Sequence, residues 1–341
     1  MFDLGRYQRG LAAVLGLAGV AIAVVTFGHW DPPAEERPGR PPHPAVLTEP
    51  TAAAASRGDG EDPAAIRVLE VRLGSGEDLR LFLRYGNLER LDVTLDPGAE
   101  LLGLDGFPHL TEITLHRSSP GPLELSGLSA LPHLRRITLR NVRIERLDAF
   151  AGLPDLRSLT VLNGAVGDLS GIAAASHLES LILDNFPRSE GIPRNGDVFL
   201  GPALAVQDLD TAPALDLARL GAKPDLRVLV VVGARVSGLS SLSQAPDLRA
   251  LWLLRAGITD LTEIAGLRDL RTLMLAYNDQ LDDIAPLEGL LNLEDLNLRG
   301  TAVTDLGDIP ALPALTRLDL RDTPLAEGQA EALPAGIEVR R

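Results

Sequence analysis

The sequence predicts an α/β solenoid, in which short parallel strands and brief return segments stack around one continuous core. Three observations predict it. Between Leu226 and Leu325 a triplet spaced L-x-x-L-x-L is written five times: Leu226/Leu229/Val231, Leu248/Leu251/Leu253, Leu270/Leu273/Leu275, Leu293/Leu296/Leu298 and Leu315/Leu318/Leu320. The openings step by 22 residues, with one step of 23 after Leu270. Thirteen residues after most openings comes another aliphatic (Leu239, Leu261, Leu306), and three further on one more (Leu242, Ile264, Ile309). A fixed period in the twenties marks a repeat that cannot bury its apolar face without a neighbour. The last two leucines of each triplet stand two apart, the strand period. Both therefore face one side, and the residues between and beside them face the other.

The same register extends towards the N-terminus. Ile66/Leu69/Val71, Leu88/Leu91/Val93, Leu110/Ile113/Leu115, Leu134/Ile137/Leu139, Leu156/Leu159/Val161 and Leu178/Leu181/Leu183 fit the triplet, with one step of 24 after Leu110. Between Leu178 and Leu226 the period predicts a worn copy opening at Leu204, with Gln207 and Leu209 in triplet positions, after an insert near 187–201. Ile337 and Val339 read as a truncated closing strand. About twelve copies occupy 66–341 and leave no room for a second domain.

These copies resemble the leucine-rich-repeat family, in particular the 22-residue type of bacterial internalin-like proteins. The resemblance covers about 66–341 and implies a curved horseshoe, with a concave parallel β-sheet and short 3₁₀ or irregular convex segments. One departure stands out. The asparagine usual in the family eight residues after the opening leucine is present only as Asn278; Val142, Gly164, Phe186, Ala234, Ala256, Thr301 and Thr323 hold the equivalent position. Backbone groups that such an asparagine would satisfy must find other partners.

Composition excludes several functions. A net charge of −15 argues against a general nucleic-acid binder, because attraction to phosphate supplies most non-specific affinity. With no cysteine there is no disulfide, thiolate nucleophile or cysteine zinc site, and cysteine-dependent ubiquitin ligation is excluded. The cations are almost all arginine, Lys223 being the single lysine. No H-E-x-x-H, G-x-S-x-G or phosphate-cradling glycine loop occurs, so no catalytic residue and no cofactor are expected.

Residues 1–65 read differently from the repeats. Arg6 and Arg9 precede an uncharged apolar run over 11–27, bracketed by Tyr7 and Trp30. Seventeen helical residues reach about 25 Å, close to the hydrocarbon thickness of a bilayer. The run predicts a single-pass signal anchor in the cytoplasmic membrane, with residues 1–10 in the cytosol and the repeats periplasmic or extracellular. The alternative is a cleaved signal peptide ending at Ala21-Ile22-Ala23 and a secreted protein. From 28 to 65 seven prolines between Pro32 and Pro50 predict an extended tether. Within it Arg57-Gly58-Asp59 spells an adhesion tripeptide, which chance also supplies in a polar linker.

Three charged features belong to the repeats. Asp168, Asp260, Asp283 and Asp305 each precede the aliphatic that begins a return segment, where a carboxylate caps the free amides of a short turn. The recurring Asp-Leu-Arg phrase predicts ion pairs between Asp155, Asp225, Asp247, Asp269 and Arg157, Arg227, Arg249, Arg271. His109, His133 and His177 share the aspartate column. His133, Asp155 and His177 could approach a metal ion, but three adjacent strands seldom converge on one ion, so no metal is expected.

The outward strand positions supply the functional expectation. They are polar in the early copies (Arg90, Asp92, Thr94; Glu112, Thr114, His116; Arg136, Thr138, Arg140) and charged again in the last ones (Asp295, Asn297, Arg299; Arg317, Asp319, Arg321). Between them they turn apolar: Leu162, Ile182, Val228, Val230, Val232, Trp252, Leu254 and Met274, with Tyr277 near. An apolar patch on the expected concave face, rimmed by Arg136, Arg140, Asp295, Arg299, Arg317 and Asp319, predicts a site for a protein partner. The competing expectation is that the insert at 187–201 covers it. A glycan or cell-wall binder would favour exposed aromatics, which at 4% are scarce, and a ligand-free spacer would need no such patch. Nucleic acid and small molecules are not expected partners.

Overall fold

In each copy the second and third triplet side chains are driven inward, and the fold follows from stacking them. The computed structural model describes residues 46–49, 62–185 and 212–341, except 308, 310–311, 326–328 and 330–332. In chain order the strands are β1 (Val46–Glu49), β2 (Val68–Leu73), β3 (Arg90–Leu95), β4 (Glu112–Pro122), β5 (Arg136–Arg146), β6 (Ser158–Leu162), β7 (Ala165–Asp168) and β8 (Ser180–Asp184). They continue with β9 (Ala214–Asp216), β10 (Val228–Val232), β11 (Arg235–Ser237), β12 (Ala250–Leu254), β13 (Thr272–Met274), β14 (Asp295–Asn297), β15 (Arg317–Asp319) and β16 (Glu338–Arg340).

The main sheet is parallel and runs β1-β2-β3-β4-β5-β6-β8-β10-β12-β13-β14-β15-β16. Its register is the triplet register. Leu229 lies between Leu181 and Leu251, and Leu273 between Leu251 and Leu296. The inner column Leu69, Leu91, Ile113, Ile137, Leu159, Leu181, Leu229, Leu251, Leu273, Leu296 and Leu318 is fully buried. Each such side chain contributes roughly 1.5–3 kcal/mol by leaving water. Behind the sheet, return segments form 3₁₀ turns such as Leu79–Tyr85, Ser126–Ala130 and Leu239–Gln244. The aliphatics predicted for these turns (Leu239, Leu242, Leu261, Ile264, Leu306, Ile309) are all buried. Phe82, Phe107 and Phe150 widen the same layer in the early copies.

Two features differ from the sequence expectation. The sheet begins inside the stretch read as a tether, because β1 pairs with β2 in the same 22-residue step, Leu47 opposite Leu69. Further on, β8 pairs directly with β10, so in the main sheet the copies opening at Leu178 and Leu226 are immediate neighbours. The worn copy at Leu204 and the insert at 187–201 lie outside the described residues, as does the apolar run at 11–27. Among the described residues no helix is long and apolar enough to cross a membrane.

The missing asparagines are compensated by backbone. β5 continues past the inner triplet to pair with β7 (Ile144 opposite Val166), and β9 pairs with β11 (Leu215 opposite Val236). Later copies use side chains. Thr301 and Thr323 both donate a hydroxyl to Leu298 O, at 2.7 and 2.9 Å. Asn278 makes four hydrogen bonds, to Leu253 O, Leu275 O, Ala256 N and Ile258 N.

A candidate recognition face on the outer side of the sheet

Three outward rows cross the sheet, and strand register fixes their members. The first runs Arg90, Glu112, Arg136, Ser158, Ser180, Val228, Ala250, Thr272, Asp295, Arg317. The second runs Asp92, Thr114, Thr138, Thr160, Ile182, Val230, Trp252, Met274, Asn297, Asp319. The third holds Thr94, His116, Arg140, Leu162, Asp184, Val232 and Leu254. The predicted apolar residues therefore do form one block, over β6, β8, β10, β12 and β13.

That block is withdrawn from water. Leu162, Ile182, Val228, Val230, Val232, Leu254, Met274 and Tyr277 are each 7% exposed or less, and Trp252 is half-buried. Polar residues unremarked in the sequence share it: Thr160, Ser180, Asp184, Asn185 and Thr272 are buried too. The outward direction of Thr160, Ser180, Asp184 and Thr272 could have been read from the period, which puts them in the same rows, while Asn185 follows directly after β8. In and beside these rows several polar atoms are unsatisfied: Asp92 Oδ1, Arg136 Nε, Ser180 Oγ, Asn297 Nδ2 and both amide atoms of Asn185 are buried without a hydrogen-bond partner. A buried polar atom left unpaired costs about 1–3 kcal/mol, so this is a face with capacity for further hydrogen bonds.

The charged rim is paired within itself. Arg136 bonds Glu112 at 2.9 Å, Arg317 bonds Asp295 at 2.9 Å and Arg321 bonds Asp319 at 2.6 Å. Arg299 reaches Asp322 at 2.9 Å and lies over the Tyr277 ring, 5.3 Å from its centre. Burial pushes the Tyr277 phenol above its ordinary value. It also raises the Asp295 carboxyl, since loss of hydration outweighs the attraction of Arg317. Arg140 stands beside His116 in its row; burial, then Arg140 and Arg72, lower the His116 imidazole.

In seven copies the backbone turns through the left-handed region at one fixed position, seven residues after the opening leucine: Asn141, Asn163, Gly233, Arg255, Tyr277, Gly300 and Asp322. Asparagine, aspartate and glycine tolerate that geometry, whereas arginine and tyrosine pay strain for it. Asn163 donates to Asn141 Oδ1, and Asn141 Nδ2 lies 2.8 Å from Arg117 O and 2.9 Å from His116 Nε2.

The remaining charged columns resolve differently from the Asp-Leu-Arg expectation. Arg157 pairs with Glu179 at 2.6 Å and Arg271 with Glu294 at 2.9 Å, each one copy onward. Asp155 and Asp225 pair instead with His133 (3.5 Å) and His177 (2.9 Å). An Asp and an Arg two apart at a strand entry diverge, so the partner comes from the neighbouring copy. The trio His133, Asp155 and His177 is split between two pairs, and no group of three metal-binding side chains occurs among the described residues. The capping aspartates do as expected. Asp168, Asp260, Asp283 and Asp305 accept the amides of Ser170, Thr262, Ala285 and Gly307 at 2.8 to 2.9 Å. Asp62, Asp78 and Asp216 do the same unpredicted.

No family model matches the chain, and no curated protein matches it. Solved structures do. The complex of Toll with Spatzle from Drosophila aligns at 17% identity and a TM-score of 0.60, over 82% of this chain and 36% of that one. A complex of Latrophilin 3, Unc5D and the leucine-rich-repeat protein FLRT2 aligns at 15% identity and 0.57, over 82% and 84%. The internalin InlF of Listeria monocytogenes is a looser match at 20% identity and 0.43, over 85% and 88%. The fold is that of leucine-rich-repeat proteins.

Proposed function

We propose that this leucine-rich-repeat chain is a non-enzymatic recognition module, tethered to a membrane by residues 11–27, that binds a protein partner on the outer face of its sheet. The observation that carries the reading is the block from Leu162 to Met274, apolar over five adjacent strands and flanked by rows of self-paired charge. Large apolar side chains concentrated on an otherwise acidic, charged surface are a standard anchor for a partner. The buried, unpaired groups of Ser180, Asn185 and Asn297 add hydrogen-bonding capacity at its edges. Toll with Spatzle, and FLRT2 in its complex, are solved with other proteins. Because the block is already dry, a partner reaches it only by exchange for whatever now excludes water.

The test is Trp252→Asp, compared with the unchanged chain for partner capture and thermal melting. A surface change away from special features shifts stability by less than about 0.5 kcal/mol, whereas a charge inside a formed interface costs far more. Lost capture with an unchanged melt supports the reading. A large fall in melting temperature means that the ring is held inside the monomer and rejects Trp252 as a partner contact, and unchanged capture with an unchanged melt removes Trp252 from either role. For the tether, alkaline phosphatase fused after Arg341 should be active in a bacterial host; an inactive fusion beside an active cytosolic reporter overturns that orientation.

A further inference from the structure

Three residues before each opening leucine lies a buried position on the return side of the solenoid. It is Tyr85, Phe107, Leu131, Leu153 and Ala175 in the early copies, and Ala245, Leu267, Leu290 and Leu312 in the later ones. In the copy between them it is Lys223, the single lysine of the chain, only 2% exposed. Its two neighbours in the column are the two alanines, which leave the volume that its stem fills. The backbone there is equivalent to its neighbours: Leu226 N–H bonds Lys223 O at 3.1 Å, as Leu248 N–H bonds Ala245 O.

The turn is closed differently, however. Ala245 N–H bonds Leu242 O within its own turn, whereas Lys223 N–H reaches Gln244 O of the following copy at 3.1 Å. In the other direction Lys223 Nζ donates to Ala173 O of the preceding copy at 3.0 Å, and to Ala222 O at 3.3 Å. One residue thus ties together three successive turns. It does so where they are least regular, in the copy that takes 48 residues from Leu178 to Leu226.

Two carbonyls receive the amine. A neutral amine has two N–H groups and an ammonium three, so the neutral form matches these acceptors and the charged form leaves one donor buried. Of the charged groups on the surrounding turns, Asp168 and Asp216 pair with Arg219 and Asp225 with His177, while Asp247 stands at the end of the following turn. The 3₁₀ turn Leu239–Gln244 carries no charge. Burial alone lowers the Lys223 amine, to about 8.

We propose that Lys223 is a proton-controlled brace: as a neutral amine it locks the irregular turn to both neighbours, and protonation loosens that turn. The folded-state value lies below the ordinary one of 10.5, so the unfolded chain binds more protons between about 8 and 10.5. Stability contributed at this site therefore rises with pH across that window and is flat below it. The brace tightens as the surroundings turn alkaline.

A single lysine makes the test direct. The full chain labelled with ¹³C-lysine gives one lysine side-chain signal, whose titration should have its midpoint near 8. Urea unfolding of the unchanged chain and of Lys223→Met is then followed from pH 7 to 10.5. The ratio of their folding constants should rise in favour of the unchanged chain by up to about a hundredfold, other titrating groups cancelling between the two. A midpoint near 10.5 overturns the proposal. A low midpoint with a flat ratio also overturns it, since the amine would then titrate alike in the folded and the unfolded chain and its protonation would not act on the fold. Should Lys223→Met fail to fold, the midpoint and the pH dependence of the unchanged chain still decide.

Discussion

The side-chain amide of Asn278 donates a 2.7 Å hydrogen bond to the carbonyl of Leu253, one copy back, and its carbonyl accepts the amides of Ala256 and Ile258 from the same copy. A fourth bond, to Leu275 O, holds its own turn. Asn278→Ala leaves these buried backbone groups unpaired. Its expected cost is on the order of 3 kcal/mol, read as a lowered urea midpoint. Thr301→Val removes one hydroxyl bond to Leu298 O and should cost markedly less, about 1 kcal/mol.

Backbone proximity gives a second prediction. A Cβ added at Gly171 would lie 2.0 Å from Leu147 O and 2.5 Å from Asp148 N, so two return segments touch there through main chain alone. Backbone cannot rotate aside as a side chain can. Gly171→Ala should cost about 3 kcal/mol or more. At Gly266 nothing lies within 4 Å of the added atom, and Gly266→Ala should be neutral or mildly stabilising in the same melting assay.

Much of this was legible in the sequence, and the reasons differ by element. The inner column was readable because a leucine on a strand at a fixed step has one place to go. The outward rows followed from the same register, including the apolar block around Trp252. The strand β1 was not readable, since of its triplet only Leu47 is aliphatic, Pro44 and Glu49 holding the other two places. The ladders of β5 with β7 and of β9 with β11 are made by peptide groups and leave no side-chain signature. Burial of the outer block was hidden too, because a repeat period encodes which way a side chain points and not what lies over it. Lys223 was visible as a lone lysine, but its place in an aliphatic column emerges only when the turns are superposed.

Acid should act through the capping aspartates. The bonds from Thr262, first its hydroxyl and then its amide, hold the Asp260 carboxyl below its ordinary range, and the amide of Ser170 does the same for Asp168. A lowered folded-state value means a contribution that is present above about pH 3.9 and lost as pH falls through the folded value. Asparagine accepts the same amide bond without titrating. Asp260→Asn is therefore expected to melt as the unchanged chain does at pH 7 and to lose less stability between pH 4 and 2. An equal acid loss would show that this cap does not contribute.

The pair Asp295 and Arg317 should respond asymmetrically. Asp295 is nearly buried, and its carboxyl titrates above the ordinary range because burial outweighs the guanidinium beside it. Arg317 keeps about a quarter of its side chain in solvent. Arg317→Met strands a buried carboxylate, at a cost of about 3 kcal/mol near neutral pH. Asp295→Asn leaves a guanidinium that water still reaches, and should cost less. The sign with pH separates the two. With the folded value raised, the native chain holds a proton that the unfolded one has lost, so stability falls as pH rises above about 3.9. The deficit of Arg317→Met should then be small at pH 4 and grow towards neutrality, while that of Asp295→Asn should not grow in this way. Urea midpoints of both variants at pH 4, 5.5 and 7 measure this, and a deficit for Arg317→Met that stays constant over that range would mean Asp295 is ionised throughout.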